Sequence, residues 1–145
     1  MALQDILAPL SQGAQAAGFE VTPIPGERAI RNMIHVRVNG KRCVARIATH
    51  VAKPPGNAFG YVRFIAGDPG YISDSAIKAI ILIVAPPGEC AIYYIIPPRD
   101  WKTLLREQGQ SARAENGSAP VLKISHPPLQ NSKHEPFRDN WAALA

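Results

Sequence analysis

Four cations, Arg37, Lys41, Arg42 and Arg46, fall on one short stretch between Met33 and Thr49, and no carboxylate occurs from Ala29 to Ile65. Side chains of this type neutralise phosphates, and a surface carrying them gains affinity through counterion release. The same composition argues against a metal-dependent hydrolytic centre in this stretch, because a divalent cation is held by acids. Met-Ile-His-Val-Arg-Val runs into Asn39-Gly40, and Lys-Arg-Cys-Val-Ala-Arg-Ile-Ala-Thr follows. Asn-Gly between two β-prone runs predicts a hairpin with a tight two-residue turn, so the cations ride on paired strands.

The charge is uneven along the chain. Residues 1–63 hold eight Lys or Arg against three acids (Asp5, Glu20, Glu27), whereas residues 64–145 hold eight against eight, so the whole net +5 belongs to the first part. A face that binds a polyanion produces such an asymmetry, and a solvated basic strand face is the plainer alternative. A second basic stretch, Lys53-Pro-Pro-Gly-Asn-Ala-Phe-Gly-Tyr-Val-Arg63, interleaves cations with aromatics. It suits Phe59 or Tyr61 against bases and Lys53 or Arg63 against phosphates, or equally a strand edge with core aromatics.

Other chemistry finds less support. His35, His50, His126 and His134 follow no metal-binding spacing, and Cys43 and Cys90 read as small buried hydrophobes within β-runs. No Gly-rich phosphate cradle occurs, and Asn116-Gly-Ser118 has no nucleophile elbow around it. These absences remove nucleotide hydrolysis and α/β-hydrolase chemistry from consideration.

The elements that must position the cations are legible from periodicity. Leu3, Ile6, Leu7, Leu10, Ala14 and Ala17 predict an amphipathic helix with Gly18 as its left-handed cap, and Pro9 either kinks it or opens a second helix. Phe19 to Thr22 reads as a short strand, the hairpin follows, and Phe59 to Ile65 reads as a third strand. Gly67 to Gly70 is a turn by composition, and Ser73-Asp-Ser75 could cap a helical turn. Ile77 to Ala85 and Cys90 to Ile96 are apolar on both parities and are expected at the centre of the sheet. Asp100 to Gln108 predicts a helix with Asp100 as N-cap and Trp101, Leu104 and Leu105 on its buried side. Gly109 to Ser118 is a linker, Val121 to Ile124 a short strand, and the segment ending Trp141-Ala-Ala-Leu144 is expected to fold back through its aromatics.

The 145 residues fit one α/β domain with a mixed central sheet flanked by helices: a core over 1–108, then a linker, short strand and Pro-rich tail over 109–145 that packs on the core or a partner. Two cysteines without Cys-x-x-Cys spacing, and a start lacking a basic n-region, suggest a reduced cytoplasmic protein. Ala79 to Ala85, the longest apolar run, falls short of the ~20 residues that cross a bilayer, so no membrane partner is expected.

The order helix, strand, hairpin, third strand, connection, two apolar strands and helix resembles the restriction-endonuclease-like PD-(D/E)XK nuclease superfamily, closest to its small intron-endonuclease-like members. Ala17-Gly-Phe-Glu-Val21 is similar to that family's helix exit, Asn39-Gly40-Lys41 to its hairpin turn and Tyr93-Tyr-Ile-Ile-Pro97 to its "fyviP" strand; the likeness spans residues 5–108. The resemblance implies a restriction-endonuclease-like core in a small prokaryotic or mobile-element protein. In that family the hairpin supplies an Asp, then a Glu or Gln, one residue and a Lys, the acids holding metal and the lysine orienting water. Laid on this chain, those positions fall on His35, Arg46 and Ala48. An arginine repels the cation and an alanine orients nothing, so the resemblance implies a pseudonuclease with no metal cofactor.

The expectation is therefore a protein that contacts nucleic acid, DNA in the first instance, through Arg37, Lys41, Arg42, Arg46, Lys53 and Arg63, and has no catalytic residues. Two alternatives stand beside it. One is a protein-interaction or assembly subunit, or a homo-oligomer, using its Ile- and Tyr-rich strands and Pro-rich tail. The other is a Mg²⁺-dependent endonuclease whose acids have migrated to positions among Glu20, Glu27, Asp68 and Asp74, Glu20 and Asp74 first, with Lys78 as the lysine.

Overall fold

Cys43, Ala45, Ile81 and Tyr93 bury on one side of a β-sheet, and Val44, Ile80, Leu82 and Tyr94 on the other, so successive residues feed two separate apolar layers. The computed structural model describes residues 3–26, 33–65, 76–107, 121–130 and 132–145. Glu27, Asp68, Asp74, the turn at 67–70, the cap at 73–75 and the linker at 109–118 lie outside the described residues.

The protein is a mixed α/β domain. Its main sheet contains β1 (Val21–Pro23), β2 (Met33–Val38), β3 (Lys41–Ala48), β5 (Ala79–Val84) and β6 (Ile92–Ile96) in the order β1-β2-β3-β5-β6. The β3–β5 pair is parallel and the other pairs are antiparallel. Helix α1 (Leu3–Ala16) covers the first face, and helix α2 (Pro98–Glu107) covers the second through Trp101, Leu104 and Leu105.

The hairpin forms as expected. Val38 pairs with Lys41, and Asn39 (φ 53°) and Gly40 (φ 76°) take the two left-handed positions that a type I′ turn requires. Helix α1 closes at Gly18 by donating the Phe19 N–H to Ala14 O and the Gly18 N–H to Gln15 O, both at 2.9 Å, which is a Schellman cap. The chain forms one helix through Pro9, not two. An interior proline costs about 3 kcal/mol. Burial of Ile6 and Leu10, worth about 1.5–3 kcal/mol each, offsets that cost, and the Tyr93 hydroxyl donates to Pro9 O at 2.7 Å.

The third expected strand, β4 (Gly60–Ile65), leaves the main sheet. It pairs antiparallel with β7 (Val121–His126) in a two-stranded layer that turns Val62, Phe64, Leu122 and Ile124 onto the second face. Burying those four side chains against Ile80, Leu82 and Trp101 stabilises it there more than a solvated edge position would. Strand β5 is central, but β6 lies at the edge. It still reads as a buried strand because the tail covers it: the Asp139 N–H donates to Tyr93 O, Asn140 Nδ2 donates to Ile95 O, and Arg138 bridges to Tyr94. Trp141 and Leu144 return to the first-face core, with the Trp141 ring 5.6 Å from that of Tyr93.

Two local expectations are corrected. Cys90 is exposed in the connection before β6 rather than buried in a strand, because Pro86-Pro87-Gly88 delays strand entry to Ile92. Helix α2 starts at Pro98, which suits the first turn, so Asp100 lies inside that turn facing the positive helix end and is not the N-cap.

Candidate nucleic-acid interface

The hairpin register aligns its cations. Arg37 stands directly opposite Arg42, and Thr22 on β1 stands opposite Arg37. The Lys78 N–H donates to Arg42 O at 2.9 Å, which sets Lys78 one strand further along, beside Arg42. Arg37 and Lys78 are exposed, while Arg42 is half-buried with its Nε out of contact with water and without a hydrogen-bond partner. Because β3 alternates, Arg42 shares its face with Val44, opposite the α1 side. Like charges directly opposed on a sheet oppose folding by a few tenths of a kcal/mol or more. Positive charge is therefore concentrated at this end of the sheet.

The remaining predicted cations divide. Lys41 is half-buried, and its Nζ donates to Leu144 O at 3.1 Å, next to the 2.6 Å bond from Asn39 Nδ2 to the same carbonyl. Lys41 thus helps to anchor the closing segment. Arg46 is only 4% exposed, flanked across the strands by Met33 and Leu82, and is a buried cation of the sheet rather than a surface contact for phosphate. Lys53 and Arg63 are exposed.

Arg63 belongs to a second basic surface that residue order alone does not reveal. On the outer side of β4 and β7, Arg63 faces Lys123 and Tyr61 faces Ser125. The Lys123 ammonium stands 5.1 Å from the centre of the Tyr61 ring, a cation–π contact. Between this layer and the end of β3 lies a cleft of about 220 Å³, lined by Ile47, Ala48, Thr49, His50, Ala52, Tyr61 and Arg63. Paired backbone bonds between Ala52 and Tyr61, at 2.8 and 2.9 Å, tie two parts of its lining together. A Cβ at Gly60 would come within 2.5 Å of Ala52 O, so glycine there is what lets the two segments meet.

Of the positions on which the nuclease motif was laid and from which this chain departs, His35 is half-buried opposite Val44, Arg46 is buried and Ala48 lines the cleft. Glu20 lies beside the hairpin turn, its carbonyl accepting from the Asn39 N–H. Lys78 is three strands away, about 14 Å at the usual strand spacing, so the structure does not bring the two together. Among the described residues, no group of three or more His, Cys, Asp or Glu side chains is arranged to hold a metal ion.

The histidines of the tail are structural neighbours of the core. His126 Nε2 lies 3.2 Å from Glu89 Oε1. His134 Nε2 lies 3.3 Å from Ser125 Oγ, and its ring meets Tyr94 edge-on at 5.4 Å. Burial holds the His134 pKa below its ordinary value and pushes the Cys43 thiol up to about 12. No helix among the described residues is long and apolar enough to cross a membrane.

Lys123 is the residue that sequence reasoning missed. Its signal was present in the apolar–polar alternation of Leu122-Lys-Ile-Ser125, but its partner Arg63 is remote in the chain. Comparison with models of protein families, with curated proteins and with solved structures finds no match to this chain in any of the three.

Proposed function

We propose that this protein binds nucleic acid through its phosphate backbone and does not cut it, with DNA the first partner to test. The observation that carries the reading is the direct opposition of Arg37 and Arg42 on one sheet face, with Lys78 beside them. Three cations in a row on successive strands offer a polyanion several contacts at once, which a small acid cannot use. Arginine and alanine at positions 46 and 48, where the resembled nucleases hold metal and orient water, support binding without cleavage. Phosphate contacts position a protein and carry no base information, so selectivity requires something further.

The test is binding to labelled duplex DNA, single-stranded DNA and RNA over a salt series with Mg²⁺ present, with products resolved on a denaturing gel. Expected is affinity that falls steeply with salt, intact nucleic acid, and a loss of tenfold or more at low salt for the Arg37→Glu/Arg42→Glu double variant. Cleavage would replace this reading with a nuclease of migrated acids. Absence of binding, or salt-independent binding, would replace it with a protein-assembly subunit.

A further inference from the structure

The cleft beside Tyr61 differs in kind from the cation row at the hairpin. It joins an aromatic ring, an exposed arginine and an exposed histidine in a recess of about 220 Å³, with Lys123 over the ring from outside the lining. That volume is below the ~300–1,000 Å³ of pockets that enclose a drug-sized ligand, and suits one flat heterocycle. A base inside a duplex is stacked on both faces and cannot present itself to a recess, whereas an unpaired base can. Arg63, in the lining, stands opposite Lys123 across β4 and β7, and exposed Lys53 follows Ala52 of the lining in the chain. Phosphates on either side of a seated base would therefore meet positive charge.

We infer that this cleft seats one unpaired base of a single-stranded nucleic acid, stacked on Tyr61, with Arg63 and Lys123 on the flanking phosphates. The inference rests on the nucleic-acid reading above and adds the strandedness of the ligand and the residue that senses it. Stacking on one aromatic side chain is sequence-tolerant, so the cleft distinguishes single from double strand without choosing among bases.

The experiment compares a single-stranded DNA oligonucleotide with the duplex of the same sequence, for the wild type, Tyr61→Ala, Tyr61→Phe and Arg63→Ala, with circular dichroism as the check on folding. Expected is tighter binding of the single strand by the wild type and about a tenfold loss for Tyr61→Ala on that strand alone. Tyr61→Phe keeps the ring and should stay within about twofold of wild type. Arg63→Ala should lower the slope of log affinity against log salt by about one. A folded Tyr61→Ala protein with unchanged single-strand affinity overturns the cleft proposal while leaving the hairpin reading standing. Wild-type protein that binds no nucleic acid overturns both.

Discussion

Arg37 and Arg42 face each other across the β2–β3 hairpin as a directly opposed pair of like charges. Such an arrangement works against folding and in favour of an anionic ligand, so the two effects should separate on mutation. Arg37→Glu creates an attractive cross-strand pair and is expected to raise stability by about 0.2–1 kcal/mol at low salt, while weakening nucleic-acid binding. Urea denaturation and a binding titration on the same preparation check both signs. A variant that is less stable and binds as well as wild type would remove the hairpin from the interface.

Gly13 gives a prediction about packing. A Cβ there would lie 2.5 Å from Cζ of Tyr93, whose hydroxyl holds Pro9 O one turn earlier. Alanine is worth about 1 kcal/mol more than glycine in an isolated helix. Here, forcing the Tyr93 ring away should cost about 1–3 kcal/mol and override that gain. Thermal denaturation of Gly13→Ala should show a lower midpoint than wild type, and Gly13→Ala/Tyr93→Leu should recover part of the loss.

His134 provides a pH dependence whose sign is determined by burial. The folded state keeps its imidazole neutral to lower pH than the unfolded chain does. As pH falls through the unfolded value near 6.5, the unfolded state takes up the proton first and gains free energy relative to the fold. The contribution of this group to stability is thus complete above that value and is lost as the solution becomes more acid. His134→Gln cannot charge, and its stability should fall less than that of wild type between pH 7.5 and 5, as measured by denaturant unfolding.

The two cysteines should behave as opposites. Cys90 is exposed, while Cys43 is buried, its thiol pushed up to about 12 and its Sγ donating to Lys41 O at 3.5 Å. A maleimide at neutral pH is expected to label Cys90 quickly and Cys43 only after unfolding. Mass spectrometry of the native protein that shows both labelled at similar rates would contradict the burial of β3.

What was legible in the residues followed from local rules. The Asn39-Gly40 turn, the stripe of Ile6, Leu10 and Ala14, and the two-parity apolar run at Ala79–Val84 each carry their conformation in neighbouring side chains. What was not legible depended on partners far along the chain. Gly60–Ile65 reads as a strand in any context, and only its pairing with Val121–His126 removes it from the main sheet. Arg46 looks like its neighbours Arg37 and Arg42, yet the layer built on Val62 and Phe64 covers the same face of β3 and Arg46 ends up buried. Ile92–Ile96 looks central because it is apolar on both sides, and the cover for its outer edge comes from residues 138–140.

Without the return of the chain at Arg138–Asn140, Ile92–Ile96 would present neighbouring molecules with an apolar ladder of vacant N–H and C=O groups, the template on which intermolecular sheets grow. The segment that donates from Asp139 and Asn140 to Tyr93 and Ile95 therefore acts as a guard on that edge, taking up bonds that a second molecule's strand would otherwise seek.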